Sequence, residues 1–310
     1  MTEPSLLNLS PEVEEAIRNN RPVVALESTV IAHGLPRPLN LETAARLESI
    51  VREEGATPAT IAVIGGSVCV GLTGGQLEHV ANSNDVHKLS VRDLPTAVAR
   101  GWDGATTVAS TTWLAERAGL AVFATGGIGG VHRGELPDVS ADLPVLARTN
   151  LAAIVCSGAK SVLDLPATRE WLETHGVTVV GYGCDEMPAF YARASGLAVD
   201  ARADSPAEVA ALARARRALG LPGALLVTVP VPADAEVPQD VLEGALGRAL
   251  AEAEREGSGG RELTPFLLRR VAEHSGGATL RANLALLESN ARVAARIAVA
   301  LKGEGVESGG

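Results

Sequence analysis

The sequence predicts an α/β fold: a mostly parallel central sheet with helices on both faces, an α/β/α sandwich, followed by a helical C-terminal region. Three observations predict it. Short apolar runs of strand length alternate with stretches of helical periodicity from Pro22 to Val229, the order that builds parallel sheets through helical crossovers. Two of these runs, PVVAL from Pro22 and AAIVCS from Ala152, are apolar almost throughout, as strands covered on both faces require. Beyond Pro238 only helical patterns remain. At 310 residues, 46% of them hydrophobic, the chain can bury a sizeable core as one domain spanning 1–310. Aromatics are 3%, so that core must be built from Ala, Val, Leu and Ile.

The elements follow in order. Ser10-Pro11-Glu12 reads as an N-cap, an N1 proline and an acidic first turn, opening a short helix to about Asn19. PVVAL is the first strand and ends at Glu27-Ser28-Thr29. Asn40 is expected to cap a helix running to about Glu54. Ala59 to Ile64 is a second strand, closed by Gly65-Gly66, and Gly74-Gly75 precedes a short helix. Val86 to Ser90 is an extended run carrying Lys88, and Arg92 to Pro95 turns into a helix. Ala105 to Thr112 opens a helix reaching Ala118. Leu120 to Ala124 is a strand that feeds a glycine loop, and Leu143 to Thr149 is helical. Ala152 to Ser157, Val177 to Gly181 and Ala224 to Val229 are strands, separated by helices from Asp164 to His175 and from Ser205 to Leu219. Helices then cover Pro238 to Glu256, Thr264 to His274 and Thr279 to Leu301. Gly257 to Gly260 is a joint too short to divide domains, and a glycine-rich tail after about 302 is expected to fray.

The composition excludes several functions. A net charge of −10 disfavours a nucleic-acid polymer as partner, though not a small phosphate met by local lysine and arginine. Cys69, Cys156 and Cys184 are odd in number and form neither a disulfide framework nor a zinc spacing. The opening MTEPSLLNLSPEVEEAI is acidic and reads as no signal peptide, and no apolar run reaches 18 residues, so a cytoplasmic protein off the membrane is expected.

The chain is organised around TGGIGGVHRGELPDVSADL, from Thr125 to Leu143. Four of the five positions from Gly126 to Gly130 are glycine, directly after an apolar strand, and such a turn can offer backbone N–H groups to an anion. His132 and Arg133 follow and can meet the same charge. Asp138, Ser140 and Asp142 alternate, a pattern that can turn two carboxylates and a hydroxyl toward a hard cation. Glu27 stands where the first strand ends, either as a turn carboxylate or as an acid. Lys160 emerges after a buried strand through a Gly-Ala turn, either at the surface or as an amine that can lose its charge and attack a sugar aldehyde. Lys88 has the same two readings, with phosphate binding the functional one. Thr106, Thr107, Ser110, Thr111 and Thr112 crowd one helix start and suit a phosphate or ribose hydroxyls. Arg37 and Arg92 are further anion partners or salt-bridge residues, and Asn283 alone is an ordinary helix amide. On these residues alone the chain is an α/β enzyme with a phosphate-sized anion site, room for a divalent metal and a candidate imine lysine. No Gly-x-Gly-x-x-Gly and no P-loop occurs.

At these residues the sequence resembles the pseudouridine-5′-phosphate glycosidase family. The matching segments are ALESTVIAHGLPRP at Ala25, KLSVRDLP at Lys88, GATTVASTT at Gly104, FATGGIGGVHRG at Phe123, DVSADL at Asp138, SGAKSVLDL at Ser157, TPFLLRRV at Thr264 and LRANLALLESNA at Leu280. The resemblance spans from about Ser10 to about Leu301. It implies a homotrimeric α/β/α enzyme that needs a divalent metal, usually Mn²⁺. It implies reversible cleavage of the C–C glycosidic bond of pseudouridine 5′-phosphate to uracil and ribose 5-phosphate. By resemblance Glu27 is the proton donor, Lys160 the nucleophile and Asn283 an active-site amide. Lys88, the backbone around Val108, and Ser140, Ala141 and Asp142 are substrate contacts, joined by Thr125 and His132 at the glycine loop. Asp138 is the metal position, which Asp142 could also reach. One departure stands out: many members have Asn-Pro after the last strand, whereas this chain has Val229-Pro230 followed by Val231-Pro232. Two other readings fit the residues: a class I aldolase-like lyase on another sugar phosphate, and a non-catalytic sugar-phosphate or nucleotide-binding protein.

Overall fold

The structure, a computed structural model, describes residues 7–133, 138–257 and 263–303. Its strands are β1 Leu7–Leu9, β2 Val23–Leu26, β3 Thr57–Ile64, β4 Ser67–Val70, β5 His87–Leu89, β6 Gly104–Thr106, β7 Val122–Ala124, β8 Ala153–Cys156, β9 Thr178–Tyr182, β10 Ala201–Ala203 and β11 Leu225–Thr228. Its α-helices are α1 Pro11–Arg18, α2 Leu39–Glu53, α3 Gly74–Asn82, α4 Leu94–Arg100, α5 Val108–Arg117, α6 Asp142–Leu146, α7 Leu165–Thr174, α8 Pro206–Ala218, α9 Gln239–Glu256, α10 Leu263–His274 and α11 Ala278–Gly303. The sheet runs β1-β4-β3-β2-β7-β8-β11-β9-β10, with β6 on β3 and β5 on β6. From β3 to β10 along this path every pairing is parallel.

Strand periodicity explains the two layers. Successive residues of a strand point to opposite faces. Val23 and Ala25 accordingly enter one apolar cluster and Val24 and Leu26 the other. Ile154 and Cys156 likewise part from Ala153 and Val155. Helices α1, α4, α5 and α7 cover the first face, and α2, α8 and α11 the second. Alanine-rich α11 buries Ala282, Ala291, Ala294 and Ala298, which lets it lie close against β7 and β8. Among the described residues no helix is long and apolar enough to cross a membrane.

Several boundaries differ from the sequence reading. Gly65 and Gly66, at φ 56° and 79°, form a two-residue hairpin turn from β3 into antiparallel β4. Asn40 caps nothing. Helix α2 starts at Leu39, and the Asn40 amide donates to the carbonyls of Ile31 and Ala81. The run at 105–112 is not one helix: β6 ends at Thr106, and Thr107 caps α5 in a capping box with Ser110. The expected joint beyond Gly257, the tail beyond Gly303, and residues 134–137 of the central loop lie outside the described residues.

Candidate active site

Parallel strands deliver their carboxyl ends to one rim, and ligands bind there. Glu27 follows β2, Thr125 and the glycine loop follow β7, and Lys160 follows β8. All of them meet one cavity of about 510 Å³ except Thr125, which sits behind Glu27. The expected residues Lys88, Val108, His132, Asp138, Ser140, Ala141, Asp142 and Asn283 line the same cavity.

Glu27 is buried. Burial pushes its carboxyl above the ordinary carboxylate range, while the Lys160 charge and a hydrogen bond from the Thr125 hydroxyl oppose the rise. The nearby Asp142 raises it further, and Lys88 lowers it. A carboxyl whose protonated form burial favours can serve as a proton donor. Half-buried Lys160 donates from Nζ to the Gly127 carbonyl at 2.9 Å. That bond fixes the amine over the glycine loop, on the cavity wall.

The glycine loop is shaped by close packing. None of Gly126, Gly127, Gly129 and Gly130 has a positive φ. A Cβ on Gly127 would stand 2.7 Å from the Phe190 ring, on Gly129 2.2 Å from Ser140 Oγ, and on Gly130 2.3 Å from Thr168 Oγ1. These positions are glycine because side chains from elsewhere pack onto the backbone. Three N–H groups of the loop are also engaged: Ile128 donates to the Gly158 carbonyl, Gly129 to Asp142 Oδ2 at 2.8 Å, and Val131 to Thr168 Oγ1. Asp142 Oδ1 accepts from the Ala109 N–H at the start of α5, at 2.9 Å. Asp142 therefore ties two elements of the site together.

The hydroxyl cluster is corrected in the same way. Ser28, Thr106 and Thr111 form a buried chain, in which Ser28 and Thr106 donate to the Ile61 carbonyl and Thr111 donates to Thr106. Ser110 donates to the Leu89 carbonyl. Of that cluster only Thr107 lines the cavity. Arg37 donates to the Ala81 and Ser83 carbonyls, and Arg133 to the Leu163 carbonyl. Lys88, Arg92 and His132 are the cationic or protonatable expected anion partners that line the cavity.

Asp138, Ser140 and Asp142 all line the cavity, and Ser140 Oγ and Asp142 Oδ2 both crowd Gly129. Asp142 begins α6 and turns inward, and the Asp142 N–H donates to Ser140 Oγ. Exposed Asp138 accepts the His132 N–H through its main-chain carbonyl. Among the described residues no group of three or more His, Cys, Asp or Glu side chains could hold a metal. Asp138 offers an exposed carboxylate at the cavity, a hard oxygen donor of the kind a divalent ion takes.

Other residues line the site without having been assigned a role from the sequence. His33 lines the cavity from a five-residue π-helix, Val30–Gly34, a geometry that recurs at functional sites. Phe190 lines it with φ at 65°, which is rare for a bulky side chain. Thr264, Pro265 and Leu268 bring α10 to its edge. Val229, the position of the sequence departure, is buried in the core beside Val231 and takes no part in the cavity wall.

Comparison with known proteins agrees with this geometry. The family model described as indigoidine synthase A like protein matches residues 12–300. A protein of Symbiobacterium thermophilum named pseudouridine-5′-phosphate glycosidase is 54% identical over 303 residues, covering 96% of this chain and 98% of its own. One of Solibacter usitatus with the same name is 52% identical over 298 residues, covering 96% and 99%. Among solved structures, the prealnumycin C-glycosynthase AlnA in complex with ribulose 5-phosphate superposes with a TM-score of 0.90 at 41% identity, covering 99% of this chain and 100% of that one. An indigoidine synthase A-like protein of Thermotoga maritima gives 0.88 at 38% identity, covering 97% and 99%. The chain belongs to the indigoidine synthase A like family, and within it to the pseudouridine-5′-phosphate glycosidases.

Proposed function

We propose that this enzyme reversibly cleaves the C–C bond between ribose C1′ and uracil C5 in pseudouridine 5′-phosphate, giving uracil and ribose 5-phosphate. The observation that carries the reading is one cavity holding a buried carboxyl, Glu27, and an amine, Lys160, at the ends of neighbouring strands, in a chain half identical to enzymes of that name. A C–C glycoside has no leaving heteroatom on the base, so the two-carboxylate route of O-glycosidases does not serve it. In the cleavage direction the uncharged Lys160 amine bonds to C1′, and the ring C1′–O4′ bond breaks. O4′ takes a proton from Glu27 as it leaves. The new ammonium nitrogen gives a proton to the Glu27 carboxylate, and its freed lone pair forms the C=N bond while the C1′–C5 electrons pass to uracil C5, which takes that proton from Glu27. Water adds to the iminium and releases the ribose aldehyde and the amine. Glu27 suits the proton transfers because burial favours its protonated form while the Lys160 charge and the Thr125 hydroxyl favour the carboxylate.

Lys88, Arg92 and His132 supply charge for the phosphate, whose remote binding orients C1′. Asp138 would hold the divalent ion, Mn²⁺ in this reading, which supplies positive charge to anionic substrate oxygens when bound. The same reading carries a homotrimer and a cytoplasmic location, tested by sedimentation and by fractionation. The deciding assay incubates the enzyme with uracil, ribose 5-phosphate and Mn²⁺. Loss of the uracil C5–H proton signal is expected. Ribose 5-phosphate binding with no such loss would leave a sugar-phosphate binding protein instead.

A further inference from the structure

Helix α11 presents Asn283 to the cavity and, two turns later on the same face, Asn290 to the strand ends. Asn290 is 1% exposed. Its amide nitrogen lies 2.9 Å from the Thr125 carbonyl, 3.3 Å from the Gly126 carbonyl and 3.1 Å from Ser157 Oγ. The Ser157 hydroxyl also lies 3.3 Å from the amide oxygen. Two carbonyls can only accept, so the NH₂ end must face them, and the hydroxyl orients the other end.

These partners belong to both working loops. Thr125 gives its hydroxyl to Glu27. Gly126 precedes the glycine whose carbonyl holds Lys160 Nζ. Ser157 opens the turn that ends at Lys160. The two loops continue the β7–β8 pairing beyond the sheet: Ser157 donates to Gly126, Ile128 to Gly158, and Lys160 to Ile128. The Asn290 amide sits where that continuation begins.

We propose that Asn290 is a positioning residue for this reaction, holding the Thr125–Glu27 pair and the Lys160 loop in register from α11. The inference rests on the function proposed above. Asn290 touches no substrate, and its effect passes through main-chain carbonyls. Glu27 is also faced by Lys160 from the loop after β8, Asp142 from α6 and Lys88 from β5; of these, Asp142 and Lys88 lie on elements that Asn290 does not touch.

Asn290→Ala deletes the amide, and Asn290→Asp keeps its size but sets oxygens against the two carbonyls. Both are expected to lower kcat by roughly 10- to 100-fold, with KM for pseudouridine 5′-phosphate within about threefold, because the phosphate contacts lie elsewhere. Loss of the Thr125 hydrogen bond should also move the Glu27 titration to higher pH. That shift is followed by ¹³C NMR of carboxyl-labelled glutamate, with Glu27→Gln for assignment, and needs no turnover. Ser157→Ala removes only the hydroxyl that orients the amide. It should give a smaller loss in kcat of the same kind, and it decides the matter if the Asn290 variants do not fold. A wild-type enzyme without turnover on pseudouridine 5′-phosphate refutes the function. A working wild type whose folded variants keep kcat and the Glu27 titration, or lose KM alone, refutes the role of Asn290.

Discussion

Gly127→Ala tests the packing of the site most directly. The added Cβ would lie 2.7 Å from two Phe190 ring carbons and 3.0 Å from the Gly158 carbonyl. Carbon contacts settle at about 3.5–4.0 Å, so something must give by close to 1 Å. Phe190 is poorly able to yield: it is 2% exposed, stacks at 4.5 Å on Tyr191, and donates its N–H to the Ser157 carbonyl. Gly158 is pinned too, because any Cβ there would sit 2.1 Å from the Pro188 carbonyl. The glycine loop must therefore move, and the Gly127 carbonyl that holds Lys160 Nζ at 2.9 Å moves with it. Overpacking of this kind costs about 1–3 kcal/mol of stability. A shift near 1 Å at a reacting group costs on the order of 100-fold in rate. Urea unfolding gives the first quantity and initial rates of pseudouridine 5′-phosphate cleavage give the second. Gly74→Ala is the control, because a Cβ on that exposed residue in the first turn of α3 meets nothing within 4 Å. It should be neutral or stabilising by up to ~1 kcal/mol, with unchanged rate. If Gly127→Ala matches this control in both measurements, the loop is not held as described.

Borohydride with ribose 5-phosphate should add one reduced sugar phosphate at Lys160, and Lys160→Ala should lose both adduct and turnover; an adduct mapped to Lys88 would overturn the assignment. Glu27→Gln should lower kcat by about 10²–10⁴-fold yet stabilise the fold at higher pH. Since burial raises the Glu27 pKa in the folded state, its contribution to stability is full below the unfolded carboxylate pKa and lost as pH rises through the folded value. The melting-temperature difference, variant minus wild type, should therefore grow with pH, and a constant difference would contradict the burial argument. Chelation should abolish turnover and Mn²⁺ restore it better than Mg²⁺, with Asp138→Asn needing more metal; full activity in metal-free enzyme removes the ion from the reaction. Pseudouridine lacking its phosphate should lose turnover as well as apparent affinity, and comparable turnover on the nucleoside would show that the cationic wall is misassigned.

The rim of the site was legible because parallel strands write it into the sequence. An apolar run followed at once by Glu27, by the glycine loop or by Gly-Ala-Lys160 fixes where each group sits, whatever the crossovers do. Three-residue β1, β6 and β10 carry too few positions for a periodicity to show. The hydroxyl run at 106–112 was misleading for a related reason. Composition reports hydroxyls but not their direction, and a strand ending at Thr106 turns Thr106 and Thr111 toward Ser28 and the Ile61 carbonyl. Asp142 shows the same limit. Alternation suggested a carboxylate turned toward a cation, but α6 starts at Asp142 and the carboxylate accepts from the Ala109 and Gly129 N–H groups.

Phe190 and Asn290 were hidden more deeply, since main chain has no sequence signature and their partners are main chain. The Asn290 amide reads carbonyls of Thr125 and Gly126, and Phe190 packs on a residue without a side chain. What the sequence does record is the imprint of such contacts. Each glycine of the loop marks a neighbour that arrives from afar: Leu286 and Leu287 at Gly126, Phe190 at Gly127, Ser140 and Asp142 at Gly129, Thr168 at Gly130. Ile128, Gly129 and Val131 also donate within the protein, so the loop works as a rigid seat. A rigid seat is what a reaction through Lys160 requires, because the amine must meet C1′ while Glu27 still reaches O4′. Position in the loop, more than charge on it, is therefore what these glycines secure.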